Sequence, residues 1–101
     1  MLQTQQQRIL VDKEQLIHHI LFVRNLPYKV NATDLYDLFG KCGTVRQIRL
    51  GSTKETRGTA FVVYLRPEEA REAQRTLSGY NLQGRYLILL PFQPNKMMAS
   101  K

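Results

Sequence analysis

Two phenylalanines at strand spacing are the residues of this 101-residue chain best suited to chemistry. Residues 57–64 read Arg-Gly-Thr-Ala-Phe-Val-Val-Tyr. In an extended strand the period of two puts Arg57, Thr59, Phe61 and Val63 on one face, with Ala60, Val62 and Tyr64 on the other. Residues 21–26, Leu-Phe-Val-Arg-Asn-Leu, repeat the arrangement, with Phe22 outward and Leu21 and Val23 inward. If the two strands are neighbours, Phe22 lies beside Phe61. Rings displayed on a sheet offer a π-surface to unstacked bases, and each stacked base is worth roughly 1–3 kcal/mol. Phe22, Arg24, Asn25, Arg57 and Phe61 are therefore the candidate nucleic-acid-binding residues. The plainer reading makes both rings ordinary core, and the flanking elements decide against it.

Charge points the same way. Fifteen Lys and Arg against eight Asp and Glu give a net +7, which favours a polyanion or an acidic protein surface as partner. Bond-making chemistry finds no purchase: there is no carboxylate pair, Ser-His pair or metal set, so neither an enzyme nor a cofactor or small-molecule substrate is expected. Cys42 is the only cysteine, which rules out an internal disulfide and a cysteine-based metal cluster. His18 and His19, adjacent at the edge of the first strand, would point to opposite faces of an extended segment and make a poor metal pair. No apolar run approaches the ~20 residues of a membrane span, and residues 1–7 lack the basic start and apolar core of a secretory signal. A soluble, intracellular single domain is expected.

The elements that must carry the rings follow in order. Residues 1–7 are polar and Gln-rich and read as a disordered lead-in, while residues 8–17 hold enough apolar side chains to lie against something. A first strand over about 19–25 ends at Leu26-Pro27. Asn31 is a good N-cap for a helix over about 32–41, with Leu35, Leu38 and Phe39 as one stripe and Gly40 and Gly43 at its end. A second strand spans about 45–50, with Arg46 and Arg49 outward and Ile48 and Leu50 inward. Residues 51–57 read equally as a solvated hairpin loop or as a basic finger placing Lys54 and Arg57 on phosphates. After the strand of 57–64, Pro67 opens a helix with Ala70, Ala73 and Leu77 inward, and Ser78-Gly79 stops it. A last strand over about 85–90 is apolar on both faces, and Pro91 and Pro94 end regular structure. The order is β-α-β-β-α-β, an α+β ferredoxin-like plan with a four-stranded antiparallel sheet and two helices on one face. A small phosphatase on this plan would need a Gly-rich anion cradle after the first strand, and residues 26–30 contain no glycine.

With both motifs and their connections in place, the chain resembles RNA-recognition-motif proteins over nearly its whole length. Its octamer fits that family's pattern at every specified position except the third, where Thr59 replaces an aromatic ring. Within the family, residues 20–30, 36–43, 46–51, 55–64, 77–81 and 85–87 resemble the small RRM subunit of splicing factor 3b, in which Thr at the third octamer place is itself a feature. The resemblance implies a nuclear, non-catalytic pre-mRNA splicing factor. Its implied partners are the large subunit of splicing factor 3b and pre-mRNA branch-site RNA with the branch-site small nuclear ribonucleoprotein. In that family a segment of the large subunit covers much of the sheet face, while the hexamer aromatic stays in a pocket that can meet the branch-point adenine. That position is Phe22 here. Family members can carry Tyr, so the hydroxyl is absent and stacking alone survives. Members can also continue into a basic helix after the last strand, for which residues 95–101 are too short.

The residues support a protein partner independently. Tyr86, Ile88 and Leu90 should share the face of Phe22, Phe61 and Val63, an open surface more apolar than RNA alone requires. Leu16, Ile17, Thr59, Phe61, Val63, Tyr86, Ile88 and Leu90 are the candidate partner-binding residues. The expected organisation is a lead-in over 1–12, an RNA-recognition domain over 13–94 and a short tail over 95–101. Two alternatives remain: a generic single-stranded RNA-binding RRM protein, whose affinity the loss of a ring at Thr59 should weaken, and a nuclear cap-binding RRM subunit, which needs a tyrosine-rich pocket that the N-terminal segment does not supply.

Overall fold

The computed structural model describes residues 16–93, so the expectations for the lead-in, for Pro94 and for the tail lie outside the described residues. Alternation decides the first strand: in β1, Ile20–Arg24, Leu21 and Val23 are buried while Phe22 is half-buried and Arg24 exposed. The strand starts one residue later than expected, because Ile17–His19 form a 3-10 turn. His18 and His19 are thus not an extended pair. His19 Nδ1 instead lies 3.0 Å from the carbonyl oxygen of Tyr64 and ties the turn to the sheet.

Helix α1, Ala32–Phe39, begins where the sequence expects. Asn31 Oδ1 accepts the Asp34 N–H at 2.9 Å, and Asp34 Oδ2 accepts the Asn31 N–H at 3.4 Å. This reciprocal cap satisfies donors that a helix start leaves orphaned. The helix closes two residues before Lys41, which bonds back to Leu38 O in a tighter final turn. Strand β2, Val45–Leu50, carries an irregularity between Val45 and Gln47 in its pairing with β3, Ala60–Tyr64. Helix α2, Pro67–Leu77, has proline in its first turn, and Glu69 Oε1 accepts the Arg66 N–H at 3.1 Å.

The last strand is where expectation and structure part. Residues 85–90 do not form one strand. Arg85–Tyr86 (β5) pairs with Asn81–Leu82 (β4) in a separate two-stranded ribbon, and only Ile88–Pro91 (β6) joins the main sheet. Gln83 and Gly84, with φ of 53° and 93°, make the tight turn that bends the chain into this hairpin. Pro91 closes β6 instead of lying beyond it, which an edge strand tolerates because no ladder donor is required of it.

The sheet order is β2-β3-β1-β6, antiparallel throughout. Beneath it, Leu21, Val23, Val62 and Leu89 meet Leu35 and Phe39 of α1 and Ala70, Ala73 and Leu77 of α2 in one core. Burying a side chain of this size contributes about 1.5–3 kcal/mol, so this layer supplies most of the folding drive. With both helices on one side, the opposite face is left open among the described residues.

Candidate nucleic-acid interface

Register places the open-face residues in rows. Across β2-β3-β1-β6, the partners Arg49, Phe61, Phe22 and Leu90 form one row. Gln47, Val63 and Ile20 form the next, and there the Phe92 N–H donates to Ile20 O at 3.3 Å, extending the ladder past Pro91. Arg24 beside Ile88 makes a third. The period of two thus brings Phe22 and Phe61 together, with ring centroids 5.1 Å apart and planes tilted by 32°. Over residues 87–90 the same period separates Leu87 and Leu89, at 1% and 3% exposure, from Ile88 and Leu90, at 43% and 37%.

A third ring joins them. Phe92 stands edge-on to Phe61, centroids 5.3 Å apart and planes at 87°. Sequence reasoning missed it by stopping at Pro91, although Ile88, Leu90 and Phe92 continue one period-two series. Phe61 is therefore flanked on two sides, whereas Phe22 and Phe92 each have one aromatic neighbour among the described residues. Beside them opens a groove of about 380 Å³, with Leu16, Ile20, Val63 and Phe92 as apolar lining and Arg46, Gln47 and Arg49 contributed by β2. The irregularity at 45–47 explains how Arg46 and Arg49, of opposite parity, both reach it.

The remaining candidates are more dispersed. Arg57 and Thr59 precede β3, which begins at Ala60, so neither follows the strand alternation. Thr59 Oγ1 donates to Thr56 O at 2.7 Å, and Thr53 and Thr56 exchange bonds through their hydroxyls, so residues 51–59 form a self-bonded turn. Arg57 leaves that turn to lie over the Tyr28 ring, 4.2 Å from its centroid. Asn25, at φ 66°, donates through Nδ2 to Tyr86 O at 2.9 Å and accepts from Arg85 through Oδ1. Tyr86 is exposed on the hairpin, next to β6 but not in it. Leu16 lines the groove and Ile17 does not; the 3-10 turn that holds Ile17 packs against α2.

Charge is segregated. The strands carry Arg24, Arg46, Arg49 and Arg85 and no carboxylate, whereas Asp34 and Asp37 lie on α1 and Glu68, Glu69 and Glu72 on α2. Among the described residues the one ion pair is Arg75–Glu72 on α2. The open face is thus an apolar, ring-bearing surface with a positive border, and among the described residues no three His, Cys, Asp or Glu side chains cluster as a metal site.

Comparison with known proteins agrees with this geometry. The sequence profile of the RNA recognition motif matches residues 21–88. The chain is 54% identical over 80 residues to Splicing factor 3B subunit 6 of Drosophila melanogaster, covering 79% of this chain and 66% of that protein. It is 52% identical over 82 residues to a Splicing factor 3B subunit 6-like protein of Schizosaccharomyces pombe, covering 81% and 71%. The chain belongs to the splicing factor 3B subunit 6 family of RNA-recognition-motif proteins. It spans about two thirds of the length of these relatives. Among solved structures, a Sxl-lethal protein/RNA complex matches with a TM-score of 0.69 at 33% identity, over 76% of this chain and 49% of that one. As an RRM, the chain carries its hexamer on β1 and the core of its octamer on β3, the two central strands, which is why register alone sets Phe22 against Phe61.

Proposed function

We propose that this chain is a non-catalytic pre-mRNA splicing factor of the nucleus. In this reading it is the RRM subunit of splicing factor 3b, holding the large subunit on its open sheet face and meeting the intron branch-point adenosine with Phe22. The observation that carries the reading is the apolar character of that face. Val63, Ile20, Leu90, Ile88 and Leu16 surround the rings where a surface devoted to RNA would carry more charge. Covering about 300 Å² of it gains roughly 7 kcal/mol of gross transfer free energy, more than the roughly 1–3 kcal/mol of one stacked base. Protein contact therefore dominates, and the relatives' name, a subunit of splicing factor 3B, supports looking for the partner among the other subunits of that complex. Phe61, wedged between Phe22 and Phe92, belongs to the floor, and of the two outer rings Phe22 is the one at the hexamer position that the family resemblance assigns to a base.

Two variants test the two halves. Val63→Glu puts a charge at the centre of the floor and leaves Val23, Leu35, Phe39, Val62 and Leu77 untouched, so it should stay folded in a thermal melt and lose the large subunit in a pull-down. Retention of the large subunit at wild-type affinity by a folded Val63→Glu chain overturns the docking reading. Phe22→Ala should lower photo-crosslinking to the branch adenosine in the assembled particle. Unchanged crosslinking removes Phe22 from that role.

A further inference from the structure

The loop after β1 and the β4–β5 hairpin enclose a second cleft, away from the apolar groove. It has a volume of about 490 Å³, with Pro27, Tyr28 and Lys29 on one side and Gln83 and Arg85 on the other. Both sides are fixed by bonds rather than left to swing. Val30 N–H closes the loop onto Pro27 O at 3.1 Å, and Leu26 N–H holds Gly58 O at 2.9 Å. Asn25 pins the hairpin by donating to Tyr86 O and accepting from the Arg85 guanidinium, while Asn81 Oδ1 accepts the Gly84 N–H across the turn at 2.9 Å.

We infer that this cleft is a second nucleotide site, in which a base of single-stranded RNA stacks on Tyr28 and its phosphate lies between Lys29 and Arg85. Arg57 covers one side of the Tyr28 ring, yet Tyr28 remains 69% exposed, so the other side is open to a planar ligand. A ring already bearing a guanidinium on one face is held flat for a base on the other. Among the described residues Arg85 uses only one of its five guanidinium donors, to Asn25, and no carboxylate lines the cleft to neutralise either cation. An acidic peptide could use the cations but has no group for the open ring face; a nucleotide uses both. The cleft also continues the sheet surface, since Asn25 follows Arg24, which lies in the row below Phe22. RNA crossing Phe22 and passing Arg24 reaches it without reversing. The inference rests on the reading that the open face takes RNA, and the test separates the two.

The full chain is crosslinked to single-stranded RNA carrying 4-thiouridine and digested with trypsin. Cleavage after Lys13, Arg24 and Lys29 puts Phe22 on the peptide 14–24 and Tyr28 on the peptide 25–29, so the two sites report separately. Both peptides should carry nucleotide. Tyr28→Phe should bind as the wild type and Tyr28→Ala should lose about tenfold, the effect of one stacked base. Lys29→Ala should reduce the slope of log affinity against log salt by about 0.7, as expected for one phosphate contact on a single strand. Crosslinks on 14–24 alone, with Tyr28→Ala binding as the wild type, overturn the cleft and leave the sheet reading standing. Crosslinks on 25–29 alone establish the cleft and remove the sheet face as an RNA site. Displacement by a poly-glutamate peptide that is lost in Lys29→Ala, with RNA affinity indifferent to Tyr28→Ala, assigns the cleft to an acidic protein segment and overturns the inference. Absence of RNA binding by the wild-type chain even at low salt overturns both.

Discussion

Tyr64 shows how one side chain joins the ring-bearing strand to its support. It is buried completely on the inner face of β3, and its hydroxyl donates to Phe39 O, at the end of α1, at 2.7 Å. Burial pushes the phenol far above its ordinary value of 10.0, and Cys42 and Glu69 push it the same way. The unfolded chain loses the phenolic proton near its ordinary value and the folded chain does not. The contribution of Tyr64 to stability is therefore fully present below about pH 10 and is lost progressively as pH rises beyond it. Tyr64→Phe should abolish that contribution to the alkaline loss. At neutral pH it should cost only about 1 kcal/mol, at the low end for a buried hydroxyl, because Phe39 O keeps the Cys42 N–H at 3.1 Å. Thermal melts of both proteins near neutral pH and near pH 11 check the expectation; equal alkaline losses would show that Tyr64 is not the group responsible.

At the scale of elements, the connection entering β3 matters more than the strand. Gly58 has φ of 82°, and a Cβ there would stand 3.1 Å from Tyr28 Cε1 and 3.4 Å from Leu26 O. Gly79 has the same φ of 82° with nothing within 4 Å. Gly79→Ala should thus show only the backbone cost of about 1–2 kcal/mol, whereas Gly58→Ala should exceed it and shift the Tyr28 ring resonances. Equal melting temperatures for the two variants would mean that the loop yields freely to the added methyl. This contrast also marks what the sequence could tell. Leu21/Val23, Ala60/Val62 and the Leu35–Leu38–Phe39 stripe announce their elements because one face of each is buried and the other is not, so period follows burial. Residues 85–90 are apolar on both parities, and the break at Leu87 that sends Arg85–Tyr86 to a different partner leaves no mark in the pattern. The Phe22–Phe61 pair was legible because alternation and strand adjacency determine it. The Arg57–Tyr28 stack was not, since the two residues meet through turns whose geometry depends on tertiary bonds such as that from Leu26 to Gly58.

For the whole molecule, the separation of charge between the two sides carries more information than the net +7. Carboxylates gather on the helices, and among the strands only arginines are charged, so a polyanion approaching from the sheet side meets cations without compensating acids there. Binding of single-stranded RNA by the isolated chain should accordingly be weak, depend little on sequence and fall steeply with salt, because few rings remain for stacking while each neutralised phosphate releases counterions. The orientation of that dependence is testable. Arg46 and Arg49 border the groove, and Arg71 is exposed on α2 behind the sheet. If the strand follows the open face, replacing both Arg46 and Arg49 by Gln should reduce the salt slope by about 1.4, two contacts at about 0.7 each. Arg71→Gln changes the net charge by half as much and should leave the slope where it was, even though it lowers the overall attraction slightly at low ionic strength. Fluorescence anisotropy of a labelled oligonucleotide over a salt series distinguishes the two patterns. A slope that falls in proportion to total charge, whichever arginine is removed, would show diffuse binding around the molecule and deny the sheet any privileged part in it.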